Sequence, residues 1–388
     1  MEKGCKIVTI KEIIPLFKGE EQANAIELIN LEEIGNQIVA QKGVYSLGDK
    51  ALFVQPDYCL SDIPVFQEYI CPGGEPKKSK LGSNNRVRAI KFNLHTGNNN
   101  PVYSYGVLID GNDVMKQTNT PLNSETDYDA VLGIVKWEEP EPFQKGNQAA
   151  SSPFPSSMYH TDEENINNVI NDIEFPVMLI GTEKCDGSSI TIWYKNGKSG
   201  IASRKQGRPL TYKKVVGYKK PCIVIKFLTI FGYKFDGKIV ETVESDDQFV
   251  VTGKPYLETL INYCEQNNVN LALRGELVGK GCKGSGNSNN PKAKEEKHVE
   301  FFGIDDYSNH TVKLDNAKMQ SIAKELGIQL VKEYFQKTFN SKEELIETCQ
   351  EIFDNEQKNQ RIIEGIVLRN FESTFSVKLM NMLYDSKK

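Results

Sequence analysis

Short strand-like segments separated by turn residues recur along this chain, and this spacing constrains the fold more than any other feature of its 388 residues. In the first third of the chain, clusters of glycine, proline and asparagine stand between the segments, which is typical of tight turns between β-strands. The clearest segments are 37–41, 51–55, 86–92 and 102–109. Such strands favour a small β-barrel over residues 1–140, with one helical piece near 20–29. Residues 141–160, rich in proline and serine and without an apolar period, predict a linker.

Residues 161–388 mix strands with helices. A capping box of Thr161 and Glu164 predicts one helix, and a second box of Ser341 and Glu344 predicts another. Strand-like runs between the helices predict largely antiparallel sheets. The expected fold class is therefore α+β, with an N-terminal barrel followed by a domain of antiparallel sheets flanked by helices.

Composition excludes several classes of protein. No apolar run approaches the ~20 residues of a membrane span, and the first residues lack the apolar stretch of a signal peptide, which predicts an intracellular, cytoplasmic protein. The eight cysteines are scattered without a CxxC pair, so reduced thiols fit better than a disulfide framework or a zinc site. The net charge is -5, with the acidic excess in the first half of the chain. A nucleic-acid partner would therefore need a local basic stripe.

The string TEKCDG at 182–187 stands between two strand-like runs. The Asn196-Gly197 turn that follows is a strong hairpin signal, so Lys184 and Arg204 should meet at one end of a strand pair. A lysine at that place is either a surface ammonium or a nucleophilic amine. The nucleophile needs a pKa lowered by partial burial or by neighbouring cations, because an ammonium has no lone pair.

Four further strings follow in order: LRGELVG at 273–279, VEFFGID at 299–305, EGIVLR at 364–369 and FSVKL at 375–379. Together with TEKCDG, they resemble the motifs of the covalent lysyl-AMP nucleotidyltransferases, which comprise ATP-dependent DNA ligases, RNA ligases and mRNA capping enzymes. The TEKxDGSS and GELxG forms look most like RNA ligases. The runs VYSYGVL and LGIVKWEEP, at 102–108 and 132–140, look like the front module of an RNA ligase branch in which an OB-type barrel precedes the nucleotidyltransferase domain.

The resemblance implies an ATP-dependent RNA ligase with ATP and Mg²⁺ or Mn²⁺ as cofactors. Lys184 would attack the ATP α-phosphate and form lysyl-AMP, AMP would pass to an RNA 5′-phosphate to give AppRNA, and a 3′-OH would then displace AMP. The implied ATP/AMP site consists of Glu183, Lys184, Asp186, Gly187, Arg204, Glu276, Phe302, Glu364 and Lys378. The implied metal ligands, acting through water, are Asp186, Glu276 and Glu364. The implied nucleic-acid contacts are Arg204 and Arg208.

The expected partner is RNA with 3′-OH and 5′-phosphate ends, in a nicked duplex and in RNA repair. We expect a monomer with no membrane association and no obligate protein partner. Two other hypotheses stay open: a DNA ligase or mRNA guanylyltransferase, and a catalytically decayed RNA end-binding protein. The adenine-stacking residue also stays open, because many relatives place an aromatic residue where this chain has Ile304, and Phe302 either stacks instead or fills the core.

The strands that carry Glu364 and Lys378 allow a geometric prediction. In a regular antiparallel pair, the residue numbers of every two directly opposed residues have the same sum. Glu364 and Lys378 lie on one face only if that sum is even. A regular four-residue turn at 370–373 gives an odd value and separates the two side chains. We therefore predict a three- or five-residue loop, or a bulge, near 370–373.

The glycine-rich run GKGCKGSGN at 279–287 looks like a phosphate cradle. It lacks the P-loop pattern, because no glycine stands five residues before Gly279 and neither serine nor threonine follows Lys280. The sequence instead predicts a flexible surface loop, with an RNA backbone contact by its lysines as the alternative.

Overall fold

The computed structural model describes residues 3–97, 101–137, 152–155, 157–158, 163–219 and 238–384. The strands in these residues are β1 (Cys5–Lys18), β2 (Glu21–Leu31), β3 (Gln37–Gln41), β4 (Lys50–Val54), β5 (Tyr58–Cys59), β6 (Ala89–Phe92), β7 (Val102–Tyr105), β8 (Val107–Asp110), β9 (Val135–Lys136), β10 (Ser152–Pro153), β11 (Glu164–Asn165), β12 (Val177–Lys184), β13 (Ser188–Lys195), β14 (Lys198–Ser203), β15 (Gln206–Arg208), β16 (Thr211–Tyr218), β17 (Lys238–Glu244), β18 (Leu271–Val278), β19 (His298–Asp306), β20 (Val312–Lys313), β21 (Glu333–Phe339), β22 (Gly365–Arg369) and β23 (Ser376–Met380). The α-helices described are Gln67–Ile70, Gly111–Thr118, Tyr128–Leu132, Gln248–Asn267, Asn316–Leu326 and Lys342–Lys358. No described helix is both long and apolar enough to cross a membrane.

The N-terminal part is built on a five-stranded antiparallel sheet in the order β3-β2-β1-β4-β8. Strand β4 is buried on both faces, since Phe53 packs into one hydrophobic cluster and Leu52 and Val54 pack into another. The helix predicted near 20–29 is wrong: this segment is strand β2, which pairs with β1 across a turn at Gly19. The many β-strand contacts along β1 override the local helical preference of this segment.

The remaining part contains two larger sheets that enclose the cleft described below. One has the order β10-β15-β14-β13-β18-β19-β20, and the other has the order β11-β23-β22-β12-β21. The helix Gln248–Asn267 buries Leu257, Leu260 and Cys264 against the first sheet, as its apolar stripe predicts. The helix Lys342–Lys358 buries its own stripe under the second sheet. Mixed sheets and helices confirm the α+β class, whereas the OB-type assignment stays a prediction.

The two predicted capping boxes have different outcomes. Ser341 caps its helix, because its hydroxyl accepts from the backbone NH of Glu344 at 3.2 Å. The helix predicted from Thr161 is wrong for the described residues: Glu164 and Asn165 form strand β11 beside β23, and a short 3₁₀ helix follows at Ile166–Asn168. Pairing with β23 satisfies the backbone hydrogen-bonding groups of β11, and this outweighs the local preference for a helix. The proposed linker 141–160 lies mostly outside the described residues, and the domain boundaries stay predictions.

A buried asparagine ties the N-terminal sheet to the sheet that carries Lys184. The Asn168 side chain is 2% exposed, and its amide donates to Gln55 and Glu164 and accepts from the Asn36 amide. The backbone carbonyl oxygen of Asn168 also accepts from Lys6 Nζ at 2.6 Å. Because strand β11 stands just before Asn168 and pairs with β23, these bonds fix the N-terminal part beside the cleft.

Candidate active site

Lys184 ends strand β12 at the mouth of a cleft of about 1250 Å³. Its Nζ donates to Glu364 Oε1 at 2.6 Å, and the two side chains are 24% and 14% exposed. Lys184 lies directly opposite Gly365 on β22. A Cβ at position 365 would stand 2.5 Å from the carbonyl oxygen of Leu379, so the glycine lets β22 and β23 pack closely beside the ion pair.

The electrostatics of Lys184 differ from the sequence prediction. Burial lowers the pKa of its amine, but the attraction and hydrogen bond of Glu364 outweigh burial, and Glu276 and Asp186 add to them. The pKa of Lys184 is therefore raised above its ordinary value, and the expectation of a lowered pKa is wrong for the protein without ligands. In this state Lys184 is an ammonium that neutralises a group of carboxylates.

Glu276 lies on β18, directly opposite Ser189 of β13, and lines the same cleft. Burial raises the pKa of Glu276, and the negative charges of Glu364 and Asp186 raise it further, against the lowering effects of Lys184 and Lys283. The resulting pKa is about 8. At neutral pH the carboxyl therefore holds its proton, chiefly because burial disfavours its charged form.

Asp186 is held by residues from two distant parts of the chain. Tyr384 Oη donates to its Oδ2 at 2.8 Å, and the Asn290 amide donates to its backbone oxygen at 3.0 Å. Gly284, with φ +78°, packs so close that a Cβ there would lie 2.6 Å from the carboxyl carbon of Asp186. The flexible surface loop predicted at 279–287 is therefore wrong in part, because this run packs against Asp186 and buries Cys282.

Asn290 and Tyr384 are residues that sequence reasoning missed. Neither belongs to a recognisable string, and each acts through one hydrogen bond to Asp186 across about a hundred residues or more. Only the Asn-rich character of 287–290 hints at side chains that fix a loop, as Asn287 and Asn289 also do by donating to the backbone oxygen of Tyr384.

Gly187 brings β18 close to the strand that follows Lys184. A Cβ at this position would stand 2.4 Å from the carbonyl oxygen of Leu277 and 3.0 Å from the Glu276 side chain. No other residue fits without displacing β18, so the glycine of the TEKCDG string sets the distance between Lys184 and Glu276 by steric exclusion.

Phe302 faces the cleft because β19 carries a bulge. Gly303 pairs with Arg274, but Phe301 pairs with the next residue, Gly275, so Phe302 is the extra residue. Bulges re-aim a side chain relative to its neighbours. Phe302 lines the cleft, whereas Phe301 and Ile304 are each 1% exposed and belong to the core. Phe301 therefore has the core-filling role, and adenine stacking by Phe302 stays a prediction.

The Glu183 carboxylate lies on the opposite face of β12 from Lys184. It accepts from Arg361 Nη2 at 3.1 and 3.0 Å and from the Tyr334 hydroxyl at 3.3 Å. Arg361 in turn pairs with the buried Glu356. Successive residues of a strand point to opposite faces. Only the backbone of Glu183 is therefore left to contact a nucleotide on the Lys184 side.

The loop predicted between β22 and β23 is wrong. Val367 lies opposite Lys378 in a regular register without a bulge, so the residue numbers of directly opposed residues have an odd sum. Lys378 and Glu364 nevertheless both line the cleft. The reason is that Glu364 stands at a bend before β22 begins, where the alternation of faces does not apply.

Arg204 and Arg208 lie on the rim of the cleft near β15. Arg208 donates to Ser203 Oγ at 3.0 Å, pairs with Asp247 at 3.5 Å and lies over the Phe249 ring. It is therefore anchored, and the nucleic-acid contacts of both arginines stay predictions. From the N-terminal part, Arg86 stacks on Trp137 at 3.8 Å, and both line the cleft.

In the part of the chain that the structure describes, no three His, Cys, Asp or Glu side chains converge closely enough to bind a metal directly. Asp186, Glu276 and Glu364 do line one cleft, and all three carboxyl groups attract the Lys184 ammonium. Oxygen ligands at this spacing suit a hard cation that keeps its waters, rather than a dehydrated one.

The fold is similar to that of solved RNA ligase structures. The structure is similar to Naegleria gruberi RNA ligase with PPi (TM-score 0.69, 20% identity, 99% of this chain and 98% of that chain). It is also similar to a lysine-to-methionine mutant of that ligase with AMP and Mn, and to a glutamate-to-alanine mutant with ATP and Mn; both have TM-score 0.70, 20% identity and the same coverage. At this identity the likeness concerns the fold.

The family of this chain follows from its sequence. The model of the RNA ligase family matches residues 178–380, which is more than half of the chain. The chain therefore belongs to the RNA ligase family. No curated protein sequence matches it.

Proposed function

We propose that this chain is an ATP-dependent RNA ligase that joins 3′-OH and 5′-phosphate RNA ends through lysyl-AMP and AppRNA, in RNA repair. The observation that carries the proposal is the 2.6 Å contact of Lys184 Nζ with Glu364 in a cleft that also contains Glu276 and Asp186. A lysine whose charge is balanced by a carboxylate inside a cleft, rather than by solvent, is typical of a functional site.

In the first step, Lys184 Nζ attacks the α-phosphorus of ATP, the N–P bond forms, and pyrophosphate leaves with the electrons of the P–O bond. The amine must first lose a proton, and Glu364 is the carboxylate within hydrogen-bond distance of it. Lys378, on the cleft face of β23, would neutralise charge on the phosphate. Phe302 and the backbone at Glu183 would bind the adenosine.

In the second step, an oxygen of the RNA 5′-phosphate attacks the lysyl-AMP phosphorus, the N–P bond breaks, and the Lys184 nitrogen takes up a proton and leaves as the amine. In the third step, the 3′-OH attacks the 5′-phosphorus of AppRNA, loses its proton, and AMP leaves. Each is an in-line displacement, so the protein contributes mostly positioning and charge neutralisation. Arg204 and Arg208, which line the cleft near β15, would contact RNA phosphates.

The residues of the cleft fit a divalent cation. Burial raises the pKa of Glu276 to about 8, with a further rise from Glu364 and Asp186, and a bound cation would favour the ionised form of this carboxyl. Asp186, Glu276 and Glu364 would hold Mg²⁺ or Mn²⁺ through water, and when bound the ion would neutralise charge on the phosphate and on these carboxylates. The Lys184 amine would then lose its proton more readily, because a nearby cation disfavours its charged form.

We expect Mg²⁺ affinity to rise with pH through the pKa of Glu276. Protons compete with the cation below pH 8, because the folded chain keeps Glu276 protonated there while an ordinary glutamate would be ionised. The ionised fraction grows about tenfold between pH 7 and pH 9, and the apparent affinity should follow it. Isothermal titration calorimetry with Mg²⁺ at several pH values measures this, with proton release visible as a buffer-dependent heat.

The matched control is Glu276→Gln, which keeps the shape and removes the titrating group. Its weaker Mg²⁺ binding should lose most of the pH dependence in this window. An affinity that rises equally in Glu276→Gln and in the unaltered chain would assign the titration to another group.

Incubation with labelled nucleotide tests the proposed function directly. The purified chain should gain the mass of one AMP with ATP, and not the mass of GMP with GTP, which separates a ligase from a guanylyltransferase. Nicked duplexes with RNA or DNA on the 3′-OH side then separate an RNA ligase from a DNA ligase. Binding of RNA ends without any mass gain would instead support a decayed end-binding protein.

We further propose that the chain acts as a monomer on a nicked duplex. The cleft is lined by residues from both the N-terminal part and the two larger sheets of one chain, so a second copy is not needed to complete it. Size-exclusion chromatography with light scattering, performed with and without RNA, checks this state.

A further inference from the structure

A group of paired charges lies behind Lys184, on the other face of strand β12. Arg361 donates through Nη2 to the Glu183 carboxylate at 3.1 and 3.0 Å, and through Nη1 to Glu356 Oε2 at 2.6 Å. Lys332 donates to the other oxygen of Glu356. Glu183 and Glu356 are 4% and 5% exposed, and each has a cation as its partner. In the described part of the chain, Arg361, Glu356 and Lys332 do not line the cleft, so this charge group acts on the cleft through the backbone that it holds.

The charge group is ionised at neutral pH. Burial lowers the pKa of Arg361, but the attraction and hydrogen bond of Glu183 outweigh burial and raise it. Burial raises the pKa of Glu356, but the hydrogen bond from Lys332 and the attraction of Arg361 outweigh burial and lower it. The pairs are therefore charge-assisted hydrogen bonds, which are stronger than neutral ones.

The bond from Arg361 to Glu183 joins the two elements that supply the 2.6 Å ion pair in the cleft. Glu183 directly precedes Lys184 on β12. Arg361 stands three residues before Glu364, and between them Ile363 is fully buried in the hydrophobic cluster of the second sheet. The same two elements are thus held together on both faces of β12, by the ion pair on one face and by Arg361 on the other.

Lys184 stands where the pairing of β12 with both of its neighbours ends. Lys184 with Gly365 is the last pair between β12 and β22. On the other edge of β12, the pairing with β21 is irregular after Gly181, and its last pair is Thr182 with Glu333. The ends of elements open more readily than their centres. A side-chain bond next to Lys184 therefore restrains the part of β12 whose position decides where the amine points.

We propose that Arg361 is a positioning residue for self-adenylylation, because its bond to Glu183 keeps the Lys184 nitrogen in line with the α-phosphorus of ATP. This inference rests on the proposed function, since it takes the amine as the nucleophile. Displacement at phosphorus requires the attacking and leaving atoms to lie in line, and a misplacement of about 1 Å can cost about a hundredfold in rate. The Glu183 side chain, which faces away from the cleft, thereby holds the residue that follows it.

The test is the single-turnover rate of AMP attachment, measured by rapid quench over a range of ATP concentrations. Arg361→Met should lower the rate at saturating ATP by about a hundredfold, because the amine is no longer held in line. The ATP concentration that gives half of this rate should stay unchanged, since no group that contacts the nucleotide is removed. A rate equal to that of the unaltered chain would overturn the proposal.

Lys332→Met is the matched control, because it removes the other cation of the same charge group. Glu356 keeps its bond from Arg361. The backbone bond from Glu183 to the carbonyl oxygen of Lys332, at 2.8 Å, does not depend on the lysine side chain. This variant should therefore attach AMP at the rate of the unaltered chain. An equal loss of rate in Lys332→Met and Arg361→Met would show that the charge group contributes only stability, and the positioning role would be rejected.

Arg361→Met combined with Glu183→Gln separates position from stability. Loss of the arginine alone removes the guanidinium that donates to the buried Glu183 carboxylate, which is costly. Removing both charges should return much of the free energy of unfolding, measured by urea denaturation. The rate of AMP attachment should nevertheless stay about a hundredfold low, because the bond that holds β12 is still absent. A rate that returns together with the stability would contradict the proposal.

Hydrogen–deuterium exchange without ATP or RNA tests the position of β12 independently of the reaction. The amides at the end of β12 should exchange about tenfold faster or more in the double variant, since a hydrogen bond to a charged group is equivalent to such a factor. Lys332→Met should leave this exchange unchanged. If the unaltered chain attached no AMP, the ligase mechanism would fail, and the exchange would still decide whether Arg361 holds β12. Normal AMP attachment by the unaltered chain, with unchanged exchange in the double variant, would reject the positioning role alone.

Discussion

Lys184→Ala is expected to abolish self-adenylylation, with a loss of at least about a thousandfold and no gain of AMP mass. The reason is that the nucleophilic nitrogen is gone, and among the described residues Lys184 is the lysine that donates to Glu364 in the cleft. Intact-protein mass spectrometry after incubation with ATP and Mg²⁺ measures the loss. The same variant should still seal RNA that has already been adenylated, since the third step does not use the amine as a nucleophile.

Lys184→Arg is the control for charge. The guanidinium keeps a cation opposite Glu364 but stays protonated, so it cannot attack phosphorus. It should therefore be as inactive in self-adenylylation as Lys184→Ala while folding like the unaltered chain. AMP attachment to either variant would place the nucleophile elsewhere and reject the proposed mechanism.

Arg274→Met is expected to lower the free energy of unfolding by about 3–5 kcal/mol. Arg274 and Asp305 are 3% and 1% exposed, and the guanidinium donates to Asp305 at 2.6 Å, to Thr191 at 3.0 Å and to Thr311 at 3.3 Å. Loss of the arginine removes the guanidinium that donates to the buried Asp305 carboxylate, which is costly in a low-dielectric interior. Urea denaturation followed by fluorescence measures the change.

The double variant Arg274→Met with Asp305→Leu tests the cause. Removing both charges takes away the uncompensated carboxylate, so much of the lost stability should return. If the double variant is as unstable as the single one, the cost comes from lost packing and not from the charge.

The sequence predicted which residues meet in the cleft better than it predicted their geometry. The strings around Lys184, Glu276, Glu364 and Lys378 lie together in one cleft, as their order along the chain indicates. The geometric prediction failed because it assumed that Glu364 belongs to a regular strand, whereas it stands at a bend just outside β22. Alternation of faces is reliable within a strand and gives no information one residue beyond it.

Long-range electrostatics were equally inaccessible to sequence reasoning. A lysine between strands gives no sign that Glu364, 180 residues later, will raise rather than lower its pKa. The same limit applies to β2, where local composition suggests a helix and only the pairing with β1 decides otherwise. Capping at Ser341 was predictable because the partners are three residues apart.

The buried guanidinium of Arg369 joins the two large sheets. From strand β22 it donates to the carbonyl oxygen of Phe302 on one sheet, at 2.8 Å, and to Thr182 on the other, at 3.2 Å. The donor, Arg369, and the two acceptors, Phe302 and Thr182, thus come from three separate stretches of the chain. A chimera that takes residues beyond 310 from a related ligase would replace the donor and keep the old acceptors, so these three stretches need to be inherited together for recombination to preserve the cleft.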